Sequence, residues 1–524
     1  MKSPFIFICI ALFLTTIGYG QEEYFIPKHI DMSVSSTKRA FDSRKTYTAN
    51  IWESREYKSH NVDIHKAILN SYKYYPKNAQ SSLENLVTGN VKISNQVIAA
   101  PERNLFHNVF LRSGTRSAIY ESLTGLAYKE DDFILNNINH FNEVINHIVF
   151  LKDQEPYSHA IEEQVQQYQL LKSAKDVDQV MQSDNTLGMV LSIKGGHSLS
   201  NFLFIEQQQT ETPEFKNFVF SNIDKLKGIQ FIDDCGYGGF HLKVPIFSMS
   251  FDNYYYAGIC GKSNELSNAQ SNTLPKLIEY EGFSALGKKV VARLLDNNKG
   301  HRILIDISGI DRASKNWYYE HLSAKANLGD IVPILASHVG IEGVGSELDK
   351  RLEKKSLKKL PDNMADHHRK LDIINSSDIQ KIIESKGLIG LSLDRDQLMN
   401  ASWQLAYYSQ PEGSAERRDV AIKAIVANLC TVAKLNTKAP WSNISISSNF
   451  DNWTHTLDVY ASSEDMTRLA TDLLTFFEAP KDIDGYFSSK EIQRLMGNYS
   501  AQEIVEKVMY SNALEFIKAN LPKE

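Results

Sequence analysis

Beyond its first residues the chain has no run of roughly 20 apolar residues, the length a bilayer-spanning helix needs, which excludes a transmembrane segment in the body of the protein. Cysteine is scarce as well. There are four in 524 residues, with no Cys-x-x-Cys pair and no Cys/His cluster, which excludes a structural zinc finger or ribbon. Charge of one sign is also missing: 57 Lys and Arg are interspersed with 63 Asp and Glu for a formal net charge of −6, so there is no basic stripe for nucleic acid. Proline-rich and Gly/Ser-rich linkers, low-complexity tracts and internal repeats are absent, and one domain over residues 21–524 is the economical reading. With 42% hydrophobic residues, the chain can bury a large core.

What is present begins with a leader. "MKSPFIFICIALFLTTIGYG" has Lys2, an apolar run from Pro4 to Leu14 and the small residues Gly18 and Gly20, the pattern of a secretory signal peptide over 1–20, cleaved before Gln21. Export to a periplasmic or extracellular location is expected, with no transmembrane segment after cleavage. Loss of Cys9 with the leader leaves Cys235, Cys260 and Cys430; a Cys235–Cys260 bridge and buried free thiols are both compatible with the spacing.

From residue 185 onward short β-branched runs alternate with helical stretches. Strands are expected at Met189–Ile193, Val244–Phe251, Ile303–Ser308, Val332–Ser337, Leu388–Leu393 and Ile444–Asn449, and an earlier one at Val91–Ala99. Between them lie helices such as "GFSALGKKVVARLLDNN", with Leu286, Val290 and Leu294 on one face, and "AERRDVAIKAIVANLCTVAKL". So many strand–helix repeats predict an α/β fold, a (β/α)8 TIM barrel with helical insertions and C-terminal helices. Residues 103–185, including "HAIEEQVQQYQLLKSAKDVDQVMQ", read as a mostly helical excursion. Two capping boxes, Ser488 with Glu491 and Ser500 with Glu503, open helices in the tail.

Function in such a barrel sits at the C-terminal ends of the strands. Those ends carry "KHIDMS" with His29 and Asp31, "SIKGGHSL" with Lys194 and His197, "FSMSFDNYYY" with Asp252 and Asn253, "IDISGIDRAS" with Asp306 and Ser308, "PILASHVG" with His338, and "SISSNFDNW" with Asn449 and Asp451. His-x-Asp puts two donors on one face of a strand, the spacing a metal needs for two ligands from one strand. Asp63 and His65 are an alternative first-strand pair, and Tyr254, Tyr255 and Tyr256 can line a cleft or pack the rim.

In order and wording these segments resemble the membrane (renal) dipeptidase family of the amidohydrolase superfamily, zinc-dependent barrel enzymes that hydrolyse dipeptides. The resemblance rests on the early His-x-Asp, "KGGHSL" for the family's Glu-Gly-Gly-His-Ser-Leu, "DISG" for Asp-Leu-Ser-His, "ASH", "LIGLSLD", "SSNFDN" for Gly-Ser-Asp-Phe-Asp-Gly, and a closing "NALEFI". It implies zinc as cofactor, a small peptide or other small molecule as ligand, and metal ligands at His29, Asp31, Lys194, Gly309, His338 and Asn449. His29, Asp31 and His338 match the family's ligands. Lys194 stands where the family has a bridging carboxylate, Gly309 where it has a histidine, and Asn449 where it has the aspartate that touches metal and handles the proton.

These substitutions are severe. An ammonium only donates and repels a dication by several kcal/mol at short range. Glycine supplies no ligand, and asparagine takes no proton from a metal-bound water. The expectation is an exported dipeptidase-like barrel with a degraded binuclear centre, zinc being absent or a single weakly bound ion. Asp451 and His197 are the remaining catalytic candidates, Asp451 as a partial replacement for the lost acid two residues before it. Lys194 is expected to fill the vacated metal position, pairing with Asp31 or another strand-end acid. Two other readings stay open: an active enzyme using a carboxylated Lys194 or a mononuclear site, and a ligand-binding barrel without chemistry.

Overall fold

The apolar runs close into a barrel because each has a neighbour in register on both sides. The computed structural model describes residues 28–37, 50–53, 79–100, 139–161, 164–201, 212–232, 239–251, 282–344, 373–452 and 456–523. Eleven strands are formed there: β1 His29–Val34, β2 Val91–Ala99, β3 His159–Ile161, β4 Gln164–Leu170, β5 Thr186–Lys194, β6 Ile246–Ser250, β7 Leu304–Asp306, β8 Leu335–Ile341, β9 Ile373–Ile374, β10 Leu388–Ser392 and β11 Ile444–Ser447. Eight of them follow one another in the order β1-β2-β5-β6-β7-β8-β10-β11, every pair parallel. A parallel bridge from Val34 to Phe450, with Ser35 N–H donating to the Phe450 carbonyl at 3.2 Å, brings the last strand back to the first. The protein is a (β/α)8 barrel with added helices.

The helices between strands cover it as their periodicity predicts. Leu286, Val290 and Leu294 of the helix Ala285–Leu295 are all buried, and the helix Ala415–Leu435 buries Ile422, Ile425, Leu429 and Val432. Both tail capping boxes form: Ser488 Oγ accepts from Glu491 N–H while the Glu491 carboxylate accepts from Ser488 N–H, and Ser500 with Glu503 repeats the pattern. Each cap contributes about 1 kcal/mol.

The helical reading of the excursion is corrected over His159–Leu170, which is an antiparallel hairpin, β3 with β4, whose second strand adds to β5. Burial of Gln166, Tyr168 and Leu170 follows a period of two, which the glutamine-rich composition hides. Helices do occupy His140–Gln154 and Ala174–Gln182. No described helix is long and apolar enough to cross a membrane. Cys430 is a buried thiol whose pKa burial pushes up. The leader at 1–20, Cys235, Cys260, Asp63, His65, Asp252, Asn253 and Tyr254 to Tyr256 lie outside the described residues.

Candidate functional site at the barrel interior

Polar side chains tie β1, β2, β5 and β6 together. Asn95 Nδ2 donates to the Met32 carbonyl at 2.8 Å, Ser192 Oγ donates to Asn95 Oδ1 at 2.7 Å, and Ser192 and Ser248 share a hydroxyl contact of 2.8 Å. These groups satisfy one another, as buried polar groups must.

His29 and Asp31 are the first and third residues of β1, so the expected placement at the C-terminal end of a strand is corrected: they lie toward its start, level with Val91 and Ser94 of β2, and are fully buried. Asp31 Oδ1 accepts from Ser33 N–H at 3.1 Å, Ser448 N–H at 3.0 Å and Ser447 Oγ at 3.3 Å. His29 Nδ1 meets the Met509 carbonyl at 2.9 Å. A carbonyl only accepts, so Nδ1 carries a proton and donates it. His29 Nε2 lies 3.8 Å from Asp31 Oδ2, and neither atom has a hydrogen-bond partner among the described residues. Two buried acceptors facing each other repel unless a cation or proton lies between them.

A second network joins β7 to β8. Asp306 Oδ1 accepts from Ser308 N–H and Ser337 N–H, both at 3.0 Å, and Oδ2 accepts from Ser337 Oγ. Ser337 has one hydroxyl proton and gives it to Asp306, so its oxygen accepts from His338 Nδ1 at 2.7 Å. His338 is thereby held in the tautomer that leaves Nε2 as an acceptor. Asp306 stood among the strand-end acids in sequence, but its link to His338 through Ser337 required the structure.

The other candidates are placed as follows. Lys194 ends β5, half-buried, opposite Ser250 of β6 in the register, and its carbonyl accepts from Ser198 Oγ at 2.7 Å. The expected Lys194–Asp31 pairing is corrected: the hydrogen bonds to Asp31 come from Ser33, Ser447 and Ser448, and Oδ2 receives none. Gly195, at φ 86°, makes the turn that a side chain would strain, and the 3-10 turn Gly196–Leu199 follows. His197 in that turn is directed at the end of β2, with Nε2 2.9 Å from the Ala100 carbonyl, and meets His140 edge-on at 5.3 Å between ring centroids. Gly309 turns the chain after β7 at φ 72°. Asn449 is buried beside β1, accepting from Ser33 Oγ at 3.3 Å.

Asp451 does not share a strand face with Asn449, because β11 ends at Ser447 and both residues adopt left-handed backbone, φ 58° and 60°. Its carboxylate accepts from Gln80 N–H at 3.2 Å, Ser81 N–H at 2.9 Å and Ser81 Oγ at 2.7 Å. This ties the turn to the segment that opens the helix Leu83–Thr88.

Burial, and secondarily the neighbouring His197, push the His140 pKa down to about 3. The unfolded chain titrates near 6.5. Between those values the unfolded chain binds a proton that the folded one does not, so stability falls as pH drops through the window. Urea titrations between about pH 6 and 4 are expected to show a slope up to about 1.4 kcal/mol per pH unit steeper for the unaltered protein than for His140→Phe. Equal slopes would remove His140 as the cause.

Among the described residues no three His, Cys, Asp or Glu side chains converge as a metal-binding group. His29 Nε2 and Asp31 Oδ2 are two of the atoms a single cation would need, without a third such side chain among the described residues, and Lys194, Gly309 and Asn449 offer neither a carboxylate nor an imidazole.

No protein-family model matches the chain, and no curated protein matches it. Solved structures similar to it include a metallo peptidase from Rhodobacter sphaeroides, liganded with a phosphinate mimic of the dipeptide L-Ala-D-Ala, at 9% identity over 95% of this chain and 100% of that one, with a TM-score of 0.46. A probable dipeptidase, PvdM, from Pseudomonas aeruginosa shares 13% identity over 94% of this chain and 95% of its own, with a TM-score of 0.49. An amidohydrolase from the same organism shares 11% identity over 94% and 97%, with a TM-score of 0.41. At such identities and scores the likeness bears on no residue of the site, whose chemistry rests on its own geometry.

Proposed function

We propose that the chain is an exported, dipeptidase-like barrel that has given up two-metal peptide hydrolysis and holds a small polar ligand, such as a peptide. The observation that carries this reading is the isolated His29–Asp31 pair: two buried acceptor atoms 3.8 Å apart, with lysine, glycine and asparagine at the positions where the resemblance implies further ligands. A zinc ion held by such a pair would act as a Lewis acid when bound. The side chains themselves supply no acid at Asn449 to move a proton, and the Asp451 carboxylate is engaged by Gln80 and Ser81. Export rests on the leader sequence.

Elemental analysis of protein dialysed without chelator, together with a dipeptide hydrolysis assay, tests the reading. Less than one tightly bound transition-metal ion per chain and no hydrolysis above the buffer rate are expected. Two zinc ions per chain with turnover would overturn it. An added carboxylate on Lys194, visible in intact mass spectra near neutral pH, would do so through the carbamate route.

A further inference from the structure

Every barrel strand is entered from the N-terminal end, opposite the loops that follow the strands. The tail of the chain docks at that end beside β11: Asn512 Nδ2 donates to the carbonyls of Trp441 at 2.7 Å and Ile444 at 2.8 Å, where β11 begins. The loops that lead into β6, β7 and β8 form another arc of the same end, and they touch one another. A Cβ on Gly300, before β7, would stand 3.0 Å from Ile229 Cγ1, before β6, and Arg302 is paired with Asp330, before β8, at 2.6 Å. On this arc Leu328 is 87% exposed, Ile331 56%, Phe231 45% and Ile229 40%, four of the six large apolar side chains exposed among the described residues. A single exposed apolar side chain needs no explanation, but several on adjoining loops form a patch, and such patches mark contact surfaces.

The arc also differs from the chain in the sign of its charge. Residues 224–232, 239–245, 293–303 and 325–334 hold seven Lys and Arg against three Asp, whereas the whole chain has a formal net charge of −6. Asp224 is paired with Arg293, and Asp330 with Arg302 and Lys325, while Lys243 and Lys299 are exposed. Apolar side chains among Lys and Arg suit an anionic bilayer: the apolar groups enter the headgroup boundary and the ammonium groups meet lipid phosphates. The chain enters the barrel at this same end, through Lys28 and β1, and residues 15–27, between the apolar run Pro4–Leu14 and Lys28, reach at most about 45 Å when extended. An exported chain is therefore released with this end nearest the membrane it has crossed. We propose that the arc of loops before β6, β7 and β8 is a docking surface for an anionic lipid bilayer, with Leu328, Ile331, Phe231 and Ile229 as its apolar contacts and Lys243 and Lys299 as its cationic ones. Docked in this way, the barrel holds its C-terminal end away from the bilayer. The inference takes export from the proposed function. Vesicle binding needs no ligand, metal or leader, so the two readings fail separately.

The measurement is flotation of the chain 21–524 with vesicles of phosphatidylcholine alone and of equimolar phosphatidylcholine and phosphatidylglycerol. Expected is co-flotation with the anionic vesicles, little with the neutral ones, and release in molar salt, which screens the lysines. Leu328→Ser combined with Ile331→Ser should raise the lipid concentration needed for half-binding by about tenfold or more. Lys243→Glu combined with Lys299→Glu should also weaken binding to the anionic vesicles. All four side chains are exposed, so both variants should keep the melting temperature of the unaltered protein. No binding of the unaltered protein to anionic vesicles, or equal binding to both compositions, overturns the proposal whether or not the variants fold. Unchanged binding in the folded Leu328→Ser, Ile331→Ser variant overturns it as well. A dimer of the unaltered chain that this variant dissociates, with no vesicle binding, would assign the arc to a second copy of the chain instead.

Discussion

Combining Lys194→Glu, Gly309→His and Asn449→Asp is expected to raise the zinc retained after dialysis from less than one ion to two ions per chain, whereas each change alone should leave it low. Metal sites fail as units, since a cation that lacks one ligand also loses the orientation of the others. Asn449 already lies beside Ser33 of β1, so an aspartate there would stand near the His29–Asp31 pair. Lys194 ends β5 at the barrel mouth, where a glutamate would replace a donor by an acceptor. Gly309 is the costly position: its φ of 72° is left-handed, and a histidine there carries strain on the order of 1–2 kcal/mol. The triple variant should therefore be less stable without metal than with it, and added zinc should raise its melting temperature. A full site produced by Lys194→Glu alone would show that the other two positions do not matter.

Asp306→Ala is expected to cost on the order of 3 kcal/mol of stability in denaturant titrations. The carboxylate satisfies two buried backbone N–H groups, of Ser308 and Ser337, and the Ser337 hydroxyl. Each buried donor left without an acceptor costs about 1–3 kcal/mol, partly recovered if the chain relaxes. Asp306→Asn keeps one amide oxygen to accept the two N–H groups and should lose clearly less. The same substitution to alanine releases the Ser337 hydroxyl to donate to His338 Nδ1, which would turn the ring to its other tautomer. Equal losses in the two variants would place the effect in the charge of Asp306 rather than in its acceptor geometry.

Much of the fold is legible in the sequence. Val91–Ala99 forms a strand over the predicted span, the apolar face of Leu286, Val290 and Leu294 is the buried one, and the two tail capping boxes close as their spacing requires. These are local properties, set by side-chain period and by groups three residues apart. His159–Leu170 escaped because its exposed glutamines resemble a solvated helix face, and only pairing with β5 selects the strand.

The sequence by itself also determined what these positions can offer, since a lysine, a glycine and an asparagine cannot supply a carboxylate or an imidazole whatever surrounds them. Only the tertiary structure decided how the remaining groups are used. Asp451 is turned to Gln80 and Ser81 by a left-handed turn beyond the strand, where strand alternation no longer predicts direction. Asp31 is held by Ser33, Ser447 and Ser448 rather than by Lys194, and His29 Nδ1 donates to the Met509 carbonyl. Residue identity fixes what a group can donate or accept. Which partner it meets is fixed by closure of the barrel and docking of the tail, and those contacts join backbone atoms far apart in the chain that no local pattern records.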